Sequence, residues 1–309
     1  MSRRTKRGRP VDGVLLLDKP IGITSNGALQ AVKRLFQARK AGHTGSLDPL
    51  ASGMLPICLG EATKISSFLL EADKRYLVGM RLGICTETGD AEGEVSYQHE
   101  GAIDFSRAVI EETLAGFLGR IEQIPPMYSA VKVNGRPLYE LARKGIDIER
   151  KARQVDIHEL RLIEHDGIDL DIEVSCSKGT YIRTLVEAIG ETLGCGAYVT
   201  VLRRPEVAGF TSGEMFTLER LEAIAAEGEL KALDALLVDA AEVLSHWPAV
   251  SLNSDMAFFV TRGQAVQVAN APASGWVRLF AGDERFLGMG TILDDGRVAP
   301  KRMMQTDQR

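Results

Sequence analysis

Residues 156–177 constrain the fold more than any other stretch of the chain. DIHELRLIEH and IDLDIEVSCS each alternate apolar and polar side chains, with His165-Asp166-Gly167 between them as a turn. A period of two sends successive side chains to opposite faces, so the pair forms an antiparallel hairpin with one face buried. Shorter apolar runs, GVLLLDKP, MLPICLG and KRYLVGMRLG, read as further strands. AYVTVLRRPEVAGF reads as a returning strand broken at Pro205, because proline cannot donate to a ladder. Helical spacing appears between them. Ser25 caps a helix carrying Ala28, Leu29, Val32, Leu35 and Phe36, and EATKISSFLLEA is a second. FSRAVIEETLAGFLG ends at Gly119 and TYIRTLVEAIGETLG at Gly194. Hairpins with crossing helices favour an α+β fold, a mixed, largely antiparallel sheet flanked by helices and loops, over a doubly wound one.

The flanks of this region differ in texture. Residues 1–10, MSRRTKRGRP, have no periodicity and read as a basic flexible arm. Residues 11–248 hold the main domain, with a basic insertion at about 124–153. That insertion contains a Pro125-Pro126 stop, a strand pair around Asn134-Gly135, and a short helix with Leu138, Leu141 and Ala142. Leu218 to Val243 is acidic and helical. After the SHWPAV link, residues 249–309 form a small β-rich module with QAVQVAN, GWVRLFAG and RFLGMGTI as strands.

Composition excludes several classes of function. No apolar run approaches the ~20 residues that span a bilayer, and the basic N-terminus lacks a signal-peptide apolar core. A cytoplasmic protein without a membrane role is the expectation. Cys58, Cys85, Cys176 and Cys195 form no C-x-x-C pair and the five histidines no ligand spacing, so no metal is expected. Phosphate-loop and dinucleotide glycine patterns are absent, so no nucleotide cofactor is expected either. Ser129-Ala130-Val131-Lys132 and Lys178-Gly179-Thr180 echo the boxes of penicillin-binding enzymes, but in the wrong context and without S-D-N between them. The net charge of −5 hides a strong polarity. Residues 1–40 carry ten Lys/Arg against two acids, and 132–153 seven against three, whereas 219–242 carry two against seven. The basic stretches are suited to a polyanion.

Chemistry concentrates in AGHTGSLDPLASGMLPICLG, residues 41–60, where His43 and Asp48 lie among small residues that let a ligand approach the backbone. In isolation, Asp48-Pro49 is a helix opening, with the aspartate capping orphan N–H groups. Tyr76 at the start of a strand reads by default as a packed ring. Arg183, with Tyr181, opens a helix, where a cation opposes the dipole unless an anion meets it. Asp48 is a suitable anion.

Taken together, GVLLLDKPIGITS, AGHTGSLDPLASGMLPICLGEATK, KRYLVGMRLG, TETGDAEGE, IEQIPPMYSAVKVNGRPLYELARKG, CSKGTYIRTL and LGCGAYVTVLRR resemble the TruB family of tRNA pseudouridine synthases over nearly all of residues 12–204. The resemblance implies the pseudouridine synthase fold and isomerisation of uridine-55 in the tRNA T loop, without cofactor or metal. Asp48 is then the catalytic aspartate, by attack on the sugar, attack on the base or proton abstraction. Arg183 keeps it ionised by lowering its pKa, and Tyr76 stacks on the uracil and accepts a proton late in the reaction. Tyr181 and the backbone of Leu202 hold the base edge, and Lys19 and Pro20 support the Tyr76 ring. His43 becomes a wedge that fills the space of the flipped base. The insertion closes over RNA, and residues 249–309 resemble a PUA-like RNA-binding domain. The implied partner is the tRNA T-arm, bound by a monomer that also assists tRNA folding. A non-catalytic RNA chaperone and the catalytic subunit of a guide-RNA-directed complex remain alternatives at this level.

Overall fold

A computed structural model describes residues 8–305 apart from 130, 134 and 283, with Lys132 described in its backbone only. Residues 1–7 of the arm and Asn134 of the expected turn lie outside the described residues. β1 (Gly13–Lys19) is the apolar run before Pro20 and is buried on both faces. α1 (Ser25–Leu35) turns Ala28, Leu29 and Val32 inward. Its cap is Thr24, not Ser25: Thr24 has the extended backbone a cap requires, and its side chain accepts the Gly27 N–H. Ser25 is thereby free to bond elsewhere.

β2 (Ala41–His43) and β3 (Ser52–Leu59) pair across the glycine-rich segment. The expected helix at 61–72 divides into a 3-10 turn over Gly60–Lys64 and α2 (Ser66–Glu71). β4 (Lys74–Leu82) leads into a short hairpin, β5 (Ile84–Thr86) and β6 (Val95–Gln98), which carries the acidic loop. α3 (Arg107–Ala115) stops before Gly116, so the helix does not reach Gly119. That glycine, at φ 84°, instead opens an unanticipated strand, β7 (Gly119–Gln123).

The insertion holds β8 (Lys132–Val133), β9 (Arg136–Pro137) and α4 (Leu138–Ala142). The alternating hairpin is β10 (Arg153–Asp166) and β11 (Asp169–Cys176). α5 (Ile182–Thr192) and β12 (Ala197–Val207) follow. Pro205 does not break β12. A shift in its pairing with β4 between Arg203 and Glu206 leaves the proline unpaired in that register while the strand continues. β13 (Phe216–Thr217), α6 (Leu218–Ala226), α7 (Leu230–Asp234) and α8 (Ala240–Val243) complete this part.

The main sheet runs β13-β1-β3-β12-β4-β11-β10-β7, with β2 paired to β3. Its pairings are antiparallel except β1 with β13 and β3 with β12, which makes the chain the α+β protein that its patterns predict. α1, α3 and α5 cover one face through Val32, Ile110, Leu185 and Ile189, packed with Val78, Met80 and Ile172 of the sheet. α2 and α8 cover the β1–β3 end of the other face, against Val14, Leu16 and Met54. A fully buried Val, Leu or Ile contributes roughly 1.5–3 kcal/mol. These cores therefore outweigh the short β3–β12 joint, which has only the Arg203–Ser52 and Arg204–Gly53 pairs and would not hold alone.

Beyond Pro248, β14 (Ala249–Leu252), α9 (Ser254–Thr261), β15 (Trp276–Ala281), β16 (Arg285–Ile292) and β17 (Val298–Met303) form a four-stranded sheet with one helix. QAVQVAN is not a strand. Its alternation meets a partner only at a bridge between Val266 and Val298. The helix, capped by Asn253, is absent from the sequence reading.

Candidate active site

Between β2 and β3 the chain makes a loop whose conformation is set by contacts from three elements. Thr44 N–H donates to the Pro56 carbonyl (3.1 Å), and Gly22 N–H donates to the Pro49 carbonyl (2.8 Å). The freed Ser25 hydroxyl accepts from Leu47 N–H at 2.7 Å and donates to Leu47 O at 2.9 Å. From β12, Arg204 donates to Gly45 O at 2.9 Å. Buried hydrogen bonds contribute about 1 kcal/mol each, so four or five of them hold this loop without regular structure. Asp48 caps no helix here. The N–H of Ala51 bonds back to Asp48 O at 3.1 Å, and β3 begins at Ser52.

The Asp48 carboxylate meets Arg183 Nη2 at 2.9 Å, with the arginine side chain 7% exposed and the aspartate 41%. Arg183 stands in the first turn of α5, and the negative charge that its position demands comes from two acids. Asp90 Oδ2 lies 3.5 Å from its Nη1. Thr88 O and Tyr128 O accept its remaining hydrogen bonds at 2.7 and 2.8 Å. The guanidinium thus joins the Asp48 loop, the acidic loop and the insertion.

A cavity of about 660 Å³ opens over this pair, within the usual size of a small-ligand site. His43, Asp48 and Arg183 line it, as do Asp90, Tyr128, Ser129, Tyr139 and Arg143. The insertion therefore forms one wall. Tyr76, Tyr181, Leu202 and Lys19 do not line the cavity. Tyr76 and Leu202 are each 7% exposed within the apolar core, on neighbouring strands β4 and β12. Tyr181 precedes α5 with its backbone clamped by Gln123, which accepts from its N–H at 3.0 Å and donates to its carbonyl at 3.3 Å. The Arg153 guanidinium lies 5.9 Å from the Tyr181 ring centre. Lys19 is fully buried and donates to Pro20 O and Ile23 O, both at 2.8 Å.

Electrostatics modify one expectation. Arg183 does pull the Asp48 pKa down, but burial outweighs it, and with a smaller push from Asp90 the carboxyl ends above its ordinary range. A carboxylate in this setting is more basic than a solvated one. Burial, reinforced by Arg204, lowers the His43 imidazole and favours the neutral ring. Its Nδ1 is buried without a hydrogen-bond partner among the described residues. Burial also brings Lys19 down to about 8, against the pull of Asp48, and Lys74 down to about 8. The Tyr76 phenol is raised by burial, with Arg204 opposing the rise.

Four residues of this arrangement escaped the sequence reading as parts of a site: Ser25 as a loop clasp, Asp90, Gln123 and Arg204. A signal existed for Arg204. Alternation along β12 puts it on the side of Leu202 and away from Arg203, which pairs with Asp18 at 2.8 Å. For Asp90, one acid in TETGDAEGE, sequence offers nothing that separates a buried carboxylate from a solvated one.

Residues 33–182 match the TruB family pseudouridylate synthase N-terminal domain, 183–245 the tRNA pseudouridylate synthase B C-terminal domain, and 248–304 the C-terminal domain of pseudouridine synthase II TruB. The chain is 55% identical over 302 residues to tRNA pseudouridine synthase B of Nitrosococcus oceani, covering 98% of this chain and 97% of that one. It is 54% identical over 297 residues to the protein of the same name from Coxiella burnetii, covering 96% of each. Among solved structures, a chain of a Cbf5-Nop10-Gar1 complex superposes with a TM-score of 0.70 at 27% identity, covering 91% of this chain and 78% of that one. A chain of an H/ACA RNP bound to a substrate RNA has the same fold, with a TM-score of 0.73 at 22% identity over 99% of this chain and 92% of its own length. The chain belongs to the TruB family of pseudouridine synthases.

Proposed function

We propose that this protein is a tRNA pseudouridine synthase that isomerises uridine-55 of the T loop, with Asp48 as the catalytic carboxylate. The observation that carries the reading is the Asp48–Arg183 ion pair at the base of a nucleotide-sized cavity, in a chain at least half identical to proteins named tRNA pseudouridine synthase B. The reaction breaks C1′–N1 and forms C1′–C5. The C5 proton is lost and N1 gains one, so the change is an isomerisation. Any of the three routes, attack on the sugar, addition to the base or removal of a sugar proton, needs one positioned anion, and Asp48 supplies it. Arg183 orients that carboxylate through Nη2, while its Nη1 is anchored on Thr88 O.

Extruding the uridine costs a few kcal/mol. A neutral His43 ring is suited to stacking in the vacated space, as a wedge in place of an acid or base. We assign Tyr76 to stacking on the uracil and receiving its proton, Tyr181 and Leu202 to the base edge, and Lys19 to support beneath. Because Tyr76 and Leu202 are covered, the assignment requires the cavity to deepen when RNA binds. The basic arm and the insertion at about 124–153 hold T-arm phosphates, the insertion closing over the RNA. Residues 11–248 act as the catalytic domain and 249–309 as a PUA-like RNA-binding domain. The protein works as a cytoplasmic monomer and also assists tRNA folding. No helix among the described residues is long and apolar enough to cross a membrane.

The test is incubation of the purified chain, without added cofactor or guide RNA, with an unmodified T-arm hairpin, followed by mapping of pseudouridine. Product at position 55 is expected, and Asp48→Asn is expected to bind the hairpin but form none. Normal turnover by Asp48→Asn, or product only when a guide RNA is supplied, refutes the assignment.

A further inference from the structure

Arg204 is 1% exposed, and among the described residues no carboxylate lies within ion-pair distance of it. Its Nε donates to Met54 O at 2.8 Å and its Nη2 to Gly45 O at 2.9 Å. Both acceptors are neutral, so its charge is left without a counter-ion. More cations surround it. Gly53 pairs with Arg204 on one side and with Lys19 on the other, so two buried cations flank one glycine. Lys74, also buried, begins β4 two residues before Tyr76. Among the described residues, the ionisable groups around this guanidinium include Lys19 from β1, His43 from β2, Lys74 and Tyr76 from β4, and Cys176 from β11.

Burying cations with too few anions is unfavourable, and proteins avoid it unless the charge acts on something. The isomerisation creates the missing negative charge. When C1′–N1 breaks, the electron pair stays on the uracil ring, and when the C5 proton leaves, its acceptor is the group that must be tuned. The antiparallel register of β12 with β4, Leu202 to Val78 and Arg203 to Leu77, brings Arg204 beside Tyr76, both of them buried, and the guanidinium charge opposes the rise of the phenol. It also fastens the start of the Asp48 loop to the sheet.

We propose that Arg204 is a positioning residue of the isomerisation: it fixes the Asp48 loop through Gly45 and holds a permanent positive charge beside the Tyr76 oxygen, favouring the phenolate that takes the proton lost from C5 once the phenol has given its own proton to N1. This rests on the proposed function and adds to it a role for a residue buried beneath the site. Arg204→Lys keeps the charge and loses the fork, whereas Arg204→Met loses both. With enzyme in excess over an unmodified T-arm hairpin, Arg204→Met is expected to slow conversion roughly hundredfold and Arg204→Lys roughly tenfold, with the hairpin Kd unchanged within about threefold. In a Tyr76→Phe background, Arg204→Met is expected to slow conversion roughly tenfold in place of hundredfold, because the charge has lost its partner while the loss of the Gly45 contact remains. Equal slowing by Arg204→Met in both backgrounds overturns the inference, as does a rate within about threefold of wild type. If Arg204→Met does not fold, Arg204→Gln, which also removes the charge, takes its place in the same cycle under the same criterion. A wild-type chain that makes no pseudouridine overturns the isomerase reading and this inference with it. A productive wild type with an additive cycle overturns only this inference.

Discussion

Replacing Arg183 with lysine tests the electrostatic reasoning most directly. The guanidinium serves four acceptors at once: Asp48 at 2.9 Å, Asp90 at 3.5 Å, Thr88 O at 2.7 Å and Tyr128 O at 2.8 Å. One ammonium on a shorter head group cannot span two carboxylates and two carbonyls. A hydrogen bond to a charged group contributes about 1.5–3 kcal/mol. Because Asp48 keeps 41% of its side-chain surface open, solvent screening points to the lower part of that range. A loss of about 1.5–2 kcal/mol corresponds to a roughly ten- to thirtyfold slower single-turnover rate. The acid limb should move as well. Arg183 lowers the Asp48 pKa against burial, so weakening the pair raises it further, and a rate that needs the carboxylate begins to fall at a higher pH. The assay is conversion of a T-arm hairpin with enzyme in excess, from pH 4.5 to 8, for wild type and Arg183→Lys. An unchanged rate, or an acid limb that stays in place or moves down, refutes the reasoning.

Further outcomes follow from other parts of the structure. If about six T-arm phosphates meet the basic stretches, log K should fall against log salt with a slope near −5, roughly a thousandfold between 50 and 200 mM; a slope shallower than about −2 in hairpin binding removes those stretches from the interface. Gly53 has φ 101°, and a Cβ there would lie 2.3 Å from Arg204 O, so Gly53→Ala should cost at least ~2 kcal/mol, about 4–8 °C in Tm. Calorimetry showing no drop contradicts that packing. Lys19 and Lys74, both at about 8 when folded against 10.5 when free, bind fewer protons in the native state between those values. Stability should therefore rise with pH across that window, and denaturant midpoints at pH 7.5 and 9.5 should show a smaller gain for Lys74→Met than for wild type.

Local patterns in the chain were sufficient for much of this protein. Alternation in 156–177 predicted the hairpin that became β10 and β11, and helical spacing predicted α1 and α5, because each of these faces is set within a few residues. The same locality explains the errors. Pro205 reads as a strand breaker because the compensating shift against β4 is made by another strand, and Asp48-Pro49 reads as a helix opening because the bonds from Ser25, Gly22 and Arg204 that hold it open come from elsewhere. Motif order was enough to identify the family and to single out Asp48, His43 and Arg183, which do line one cavity. What only the tertiary structure decided is the balance of charge around them. From motifs, Arg183 keeps Asp48 ionised by lowering its pKa. In the folded chain burial and Asp90 push against Arg183, and Arg204, Lys19 and Lys74 gather beneath with hardly an anion among them. Desolvation and Coulomb energy depend on distance and burial through space, and no residue carries those quantities until the sheet brings β1, β4 and β12 together.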